Sequence, residues 1–350
     1  MGRNPYASQD QVDLPGFPEG RRRHQDPSVG YGWASGFPGS RTPGALGSSP
    51  LLVGANIIGG TPVSVNTSTI RREHTSVLYD GKFYIWGGRD GSGYLNTMMY
   101  YDFATGSFQT VSQTSPPTAR IFMCSWLYNG YWYIFGGYDG TNYLNDMYRF
   151  DFSTSTWASV SMSGTPPAIR SAAAAVNLEG TLYLHGGVNS TTCFQDFFSY
   201  NLATDTWTTL TSSGYVGWGS AMFAVGGGLY VIAGSTATAY GTVGATNRFY
   251  DLSAASWTTK TAKPTAMNVG NYAVLDNKCY MLGGNTTNST TFTKAIEVYD
   301  PLVDRWTPLV DMTINGYRGG TNSAVACNGS IWTYGGENAS GGMTNLYRYS

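Results

Sequence analysis

The sequence predicts an all-β fold, a six-bladed β-propeller of four-stranded blades preceded by an extended, non-globular N-terminal arm. Three observations carry this expectation. From about residue 71 the chain repeats with a period near 50, and each of six units has an aromatic or β-branched strand ending in a small-residue doublet that starts at 87, 136, 186, 233, 283 or 335. Six residues before the doublet stands a hairpin turn, as in Asp80-Gly81, Asn129-Gly130, Glu179-Gly180 and Asn328-Gly329. After the doublet, by 13 to 16 residues, comes an aromatic, with a second one seven further on in five of the six units.

The arm comes first. Residues 1 to 50 contain nine Gly and seven Pro, or 32%, above the ~25–30% at which aperiodic low-complexity sequence is expected. Few aliphatic residues stand among them, although Phe17, Tyr31, Trp33 and Phe37 punctuate the glycines and Arg21, Arg22 and Arg23 form a basic run. Such a segment has no core of its own and folds only against a partner. The expected organisation is therefore an arm over 1–55, docking to other protein chains through those aromatic and basic residues, and a propeller over 56–350.

Within each unit the doublet glycines let the backbone pass close to neighbouring chain, and the aromatics supply faces on which one sheet packs against the next. The aromatics that follow the doublets are Tyr101, Phe150, Tyr200, Tyr250, Tyr299 and Tyr349, and the second set is Phe108, Trp157, Trp207, Trp257 and Trp306. After Tyr349 the sixth sheet lacks an outer strand, and an open edge of that kind is a liability. The alternating segment from Gly60 to Val65 stands where a strand completing the sixth sheet is needed.

The stretch from Arg120 to Trp157, with its run Gly136-Gly137-Tyr138-Asp139-Gly140-Thr141-Asn142-Tyr143-Leu144-Asn145-Asp146-Met147-Tyr148, resembles a kelch repeat, and the resemblance extends over residues 71–350. It implies a ring closed by an N-terminal strand near 60–65. It also gives a meaning to Arg71, Arg120 and Arg170, which stand ten residues before the hairpin glycine of the first three units and match the arginine that opens the first strand of a kelch repeat. Units four to six have Gly217, Met267 and Gly319 there, with Arg318 one place off. In some kelch-like adaptors such arginines line the central mouth and grip acidic peptides; the alternative is that each caps loop carbonyls and holds its blade to the next. The connections after the doublets carry Arg89, Asp90, Tyr94, Tyr138, Asp139, Tyr143, Tyr240 and Glu337 on the face shared with the arginines. Tyr, Asn and Asp at a loop-built mouth suit carbohydrate, and they are also ordinary turn residues.

Composition removes several classes. Net charge is -1, from 20 Lys+Arg against 21 Asp+Glu, and 12% of residues are charged, which argues against nucleic acid or an anionic membrane as partner. No segment reads as membrane-spanning, and Met1 to Asp10 lack the apolar core of a secretory signal. Four widely spaced cysteines and three histidines, His24, His74 and His185, show no metal-ligand spacing, and no phosphate-binding glycine motif is present, so no metal and no cofactor is expected. A kelch-like copper oxidase needs several His and Tyr ligands and a cross-linked Cys, and the sequence offers no appended domain to supply them.

The expected function is non-enzymatic: a structural or recognition protein of a virion, a bacteriophage capsid- or tail-associated propeller, assembled in the host cytoplasm, tethered by its arm and presenting its mouth to a host glycan or protein receptor. The alternatives are a sugar isomerase of the kelch-like sialic acid type and a cellular peptide-binding adaptor.

Overall fold

Alternating apolar residues bounded by Gly-containing turns form antiparallel hairpins, and six sets of them make the fold. The computed structural model describes residues 61–66, 69–238, 242–287, 291–312, 317–318 and 323–350. The arm residues Phe17, Arg21, Arg22, Arg23, Tyr31, Trp33 and Phe37 lie outside the described residues.

Blade 1 consists of Thr75–Tyr79, Lys82–Trp86, Met98–Asp102 and Ser107–Val111, hydrogen-bonded in that order. Blade 2 is Cys124–Tyr128, Tyr131–Tyr138, Tyr143–Asp151 and Thr156–Ser159, and blade 3 is Ala174–Leu178, Thr181–His185, Phe197–Asn201 and Thr206–Leu210. Blade 4 runs Ala221–Val225, Gly228–Ser235, Val243–Asp251 and Ser256–Thr259; blade 5 runs Asn271–Leu275, Lys278–Leu282, Ile296–Asp300 and Arg305–Pro308. The sixth sheet combines both ends of the described chain. Ala324–Cys327, Ser330–Tyr334 and Asn345–Tyr349 are followed at the outer edge by Thr61–Asn66, with Thr61 opposite Arg348 and Val63 opposite Leu346.

The first strands of the blades touch one another in sequence around the ring, and that of blade 6 also touches that of blade 1, so the blades form a closed six-bladed propeller with these strands innermost. Aromatics fill the space between sheets. In five blades the two aromatics seven residues apart are direct cross-strand partners: Tyr101 faces Phe108, Phe150 faces Trp157, Tyr200 faces Trp207, Tyr250 faces Trp257 and Tyr299 faces Trp306. Their ring centroids lie 4.7–5.2 Å apart, the range in which aromatic pairs gain beyond simple area burial. The tryptophans add a polar function. Trp157 Nε1 donates to Gln113 Oε1 at 2.7 Å, Trp257 to Thr211 O at 2.8 Å and Trp306 to Thr261 O at 2.9 Å, each reaching the segment that leaves the preceding blade.

The doublet glycines are required by close approach. Gly88 sits at φ 86°, and a Cβ there would lie 2.6 Å from Arg72 O; Gly136 sits at φ 65°, where a Cβ would lie 2.8 Å from Arg170 O. These contacts accompany backbone hydrogen bonds between blades. Gly88 N–H donates to Arg120 O, Gly137 to Arg170, Gly187 to Gly217, Gly234 to Met267 and Gly336 to Arg71, all at 2.8–2.9 Å. A second set circles nearer the axis: Phe122 N–H donates to Glu73 O, Ala172 to Phe122, Gly219 to Ala172 and Val269 to Gly219 at 2.7–3.1 Å. All five of these residues have left-handed backbone, φ 51–65°, which is costly for the β-branched Val269 and is held by the neighbouring blades on both sides.

Candidate recognition face

The arginines decide the character of the mouth. Their backbones rivet the blades: Arg120 N–H donates to Leu95 O of blade 1 and Arg170 N–H to Leu144 O of blade 2, while their carbonyls accept from the doublets of those same blades. Their side chains turn into their own blade. Arg120 donates to Gly136 O at 3.2 Å and forms a bidentate pair with Asp146 at 2.5 and 3.0 Å. Arg170 repeats this with Gly186 O at 2.8 Å and with Asp196 at 2.7 and 2.9 Å, its guanidinium lying 4.1 Å from the Phe194 ring centroid. Arg71 bonds Gly87 O at 2.7 Å and Thr97 O at 3.0 Å. All three are buried. Burial also depresses Arg71, the one without a carboxylate opposite it, to about 10. A basic rim of these three side chains is therefore absent: each guanidinium is enclosed and hydrogen-bonded, which corresponds to the capping alternative, with the junction between blades made by the backbone. Arg318 lies in the short strand Tyr317–Arg318, paired with Glu337–Asn338, and its side chain lies outside the described residues.

In blade 4, where the arginine is missing, other residues cap the doublet carbonyl. Tyr215 Oη and Ser220 Oγ donate to Ala233 O, the first carbonyl of that doublet, at 3.0 and 2.8 Å. In blade 5 the buried Lys263 pairs with the buried Glu297 and donates to Thr265 O at 2.9 Å. Desolvation lowers the Lys263 ammonium, opposed by Glu297. Sequence reasoning missed these groups because they stand off the repeat register. It also missed Asp146 and Asp196, for which a signal exists: both stand 26 residues after their arginine, as Thr97 does after Arg71.

Of the remaining predicted residues, Arg89, Tyr94, Tyr138, Asp139, Tyr143 and Glu337 lie on the doublet loops, and Tyr240 lies outside the described residues. Two-residue ladders, Arg72–Arg89, Ile121–Tyr138, Ser171–Val188, Trp218–Ser235 and Asn268–Asn285, ring the mouth on successive blades. Ile121, Phe122, Ala172, Val188, Trp218 and Val269 form one buried apolar cluster, with Tyr94, Tyr138 and Cys193 packed against it. Above the cluster three tyrosines make a ledge: Tyr94 meets Tyr138 edge-to-face at 6.0 Å, and Tyr138 meets Tyr143 at 4.9 Å. Desolvation raises the hydroxyls of Tyr94 and Tyr143 above their ordinary value. Asp139 forms the tip of its hairpin, accepting from Thr141 N–H at 2.8 Å and Asn142 N–H at 2.7 Å, and these bonds hold its carboxyl low. Arg89 pairs with the buried Glu73 at 2.5 Å, and Arg72 pairs with Glu337. Two arginines at the mouth, Arg72 and Arg89, are thus paired with carboxylates.

Both histidines among the described residues are enclosed. His74 is pushed down to about 3 and His185 to about 4, mainly by burial, and His185 Nε2 lies 2.7 Å from Ser213 Oγ. Both are neutral at physiological pH. Cys124 is buried with its thiol pushed up to about 12, and Cys279 is buried and raised as well. No helix among the described residues is long and apolar enough to cross a membrane.

Six four-stranded blades, glycine doublets at their junctions and a loop-built mouth define a kelch-type propeller. Residues 59–234 match the family model described as the KLHDC2/KLHL20/DRC7 Kelch-repeats domain, and residues 271–313 match the Kelch motif. The chain is also similar to the Kelch-like protein terF of Aspergillus terreus, 36% identical over 90 residues, or 25% of this chain and 19% of that protein. The chain belongs to the kelch-repeat family. The matched region spans about a fifth of the curated relative's length.

Proposed function

We propose that this propeller is a non-enzymatic recognition module that binds another protein at the mouth formed by its doublet loops. The observation that carries this reading is the tyrosine ledge of Tyr94, Tyr138 and Tyr143 over an apolar cluster contributed by blades 2 to 5. Half-exposed tyrosines beside a buried apolar cluster, with Arg72 and Arg89 neutralised by carboxylates, are the composition of an interface centre more than of a catalytic pocket. Kelch propellers generally mediate protein interactions, which supports the same reading. Arg89 and Asp139 belong to the rim of this surface, Arg89 held by Glu73 and Asp139 by its own turn.

The narrower reading of a virion component tethered through residues 1–55, with a glycan as receptor, rests on arm composition and on the neutral Ser/Thr/Asn/Tyr-rich sequence. Neither comparison points toward a virion. No observation at the mouth favours the sugar isomerase.

The test is selection of a displayed random peptide library on the full chain. Enriched peptides are expected to bind the wild type and to lose at least roughly tenfold in affinity for the Tyr94→Ala/Tyr138→Ala variant, as removal of central interface aromatics does. Absence of enrichment, or acceleration of anomeric exchange of sialic acid followed by NMR, contradicts the reading.

A further inference from the structure

The tyrosine ledge is closed in its backbone and open in its side chains. Ile121 and Tyr138 bond each other's peptide groups, Asp139 N–H donates to Asn142 O at 3.1 Å, Asp90 N–H to Gly93 O at 3.0 Å and Leu95 N–H to Gly88 O at 2.8 Å, so these loops spend their backbone on themselves. Tyr138 donates its hydroxyl to Gly140 O at 2.9 Å. Gly140, at φ 101°, lets the Tyr94 ring lie on the same turn, where a Cβ would stand 2.8 Å from Tyr94 Cε2. The rings are thus held across blades 1 and 2, while the hydroxyls of Tyr94 and Tyr143 have no hydrogen-bond partner among the described residues. Ile169, 46% exposed, continues the apolar strip toward blade 3: Arg170 N–H donates to Leu144 O, next to Tyr143, and Asn189 Nδ2 donates to Ile169 O at 3.5 Å.

A chain lying on this strip must satisfy its own peptide groups in water and must present carbonyls to two phenolic donors. A polyproline II segment does both: it has no internal hydrogen bonds, its carbonyls stay open, and proline has no N–H to leave unpaired. An α-helix keeps its carbonyls engaged and leaves the hydroxyls without an acceptor. The spacing fits as well, since ring centroids 6.0 and 4.9 Å apart compare with an advance of ~6 Å for two residues of polyproline II. We propose that the ledge binds a proline-rich segment of a partner protein in this conformation: proline rings rest on Tyr94, Tyr138 and Tyr143, the hydroxyls of Tyr94 and Tyr143 donate to its carbonyls, and a flanking Arg or Lys meets Asp90 and Asp139. This rests on the protein-recognition reading of the mouth and names its ligand class.

The basic flank follows from the loop tips. Asp90 Oδ1 accepts from Ser92 N–H at 2.6 Å and Gly93 N–H at 2.9 Å, as Asp139 does from Thr141 and Asn142, and neither carboxylate has an ion-pair partner among the described residues. Nearby arginines are committed elsewhere: Arg72 to Glu337, Arg89 to Glu73, Arg120 to Asp146 and Arg170 to Asp196, with Arg71 buried. Arg318 stands on the connection into blade 6, its backbone paired with Glu337, and its side chain lies outside the described residues. The unneutralised charges on the ledge's own two loops are negative, so they attract a basic residue and repel an acidic segment.

The experiment takes a peptide enriched on the full chain from a random display library and two synthetic versions of it, one with its prolines changed to Ala and one with its basic residue changed to Gln. The enriched peptides are expected to carry spaced prolines beside an Arg or Lys, and the Ala version to bind at least roughly tenfold more weakly. Tyr94→Phe/Tyr143→Phe keeps the rings and removes only the two hydroxyls, and it should cost the parent peptide roughly tenfold. Asp139→Asn, which can keep the turn, should weaken the parent by about threefold or more and the Gln version by less than about twofold, a difference read as coupling. Enriched peptides that are acidic or lack proline, unchanged binding by the double Phe variant, or equal losses on Asp139→Asn overturn the proposal but leave protein recognition standing wherever Tyr138→Ala still abolishes binding. Failure to enrich any peptide overturns both.

Discussion

Blades 2 and 3 solve the same structural problem as blade 4 with different residues. The first carbonyl of each doublet points into a crowded junction and needs a donor. In blades 2 and 3 an arginine supplies it and is itself neutralised by an aspartate, Arg120 with Asp146 and Arg170 with Asp196. In blade 4 a tyrosine and a serine donate to Ala233 O, and in blade 5 a lysine–glutamate pair fills the junction. The contrast separates the task from the residue type. At the arginine position the backbone bonds are the same whether the residue is Arg170, Gly217 or Met267: N–H to the preceding blade and C=O from its doublet. Only the side-chain cap is free to vary.

Four perturbations sharpen the contrast, and the largest acts on the doublet itself. Gly136→Ala places a Cβ against Arg170 O in left-handed backbone and is expected to destabilise the ring by about 3 kcal/mol or more in urea unfolding. Ala233→Gly, at the equivalent place in blade 4 with φ 60°, relieves that conformation and is expected to stabilise by up to about 1 kcal/mol. Next come the caps. Arg120→Ala removes a buried cation from the partly exposed Asp146 and is expected to cost about 3 kcal/mol, against about 1 kcal/mol for Tyr215→Phe, where Ser220 still donates to the same carbonyl.

Acid acts on blades 1 and 3 through their buried imidazoles. His74 and His185 are held below the ordinary 6.5, at about 3 and about 4, so the unfolded chain binds more protons as pH falls below 6.5. Their contribution to stability is full above pH 6.5 and declines through the acid range, each histidine adding a slope of about 1.4 kcal/mol per pH unit. His74→Met is expected to remove one such slope, and since neither ring nitrogen of His74 has a hydrogen-bond partner, it should leave stability near pH 7 within about 1 kcal/mol. Smallest of all is Leu302→Ser. Leu302 is 92% exposed in the turn before the last strand of blade 5, and a change within about 0.5 kcal/mol is expected.

The sequence made the frame legible because the frame is periodic. Doublets, hairpin turns and the two aromatics seven apart recur in register, and they report close approach, chain reversal and cross-strand pairing, which are local or nearly local. The bulges after Phe135 and Ile232, which extend the second strands of blades 2 and 4 through the doublet, have no such signature. At the candidate site the arginines were visible but their exposure was not, because a buried guanidinium depends on where Asp146 and Asp196 fold back to meet it. Lys263, Glu297 and Tyr215 stand outside the register or among ordinary turn residues. Only the assembled ring shows which of them are enclosed.

The central claim is that each arginine side chain caps its own blade while the tyrosines meet the partner. Melting temperature and affinity for one enriched peptide, measured together on Arg120→Ala and Tyr138→Ala, test it most directly. The predicted result is a crossed pattern: Arg120→Ala melts several degrees lower yet binds within about threefold of the wild type when folded, and Tyr138→Ala keeps most of its melting temperature but loses at least roughly tenfold in affinity. An Arg120→Ala protein that melts like the wild type and fails to bind would contradict the account.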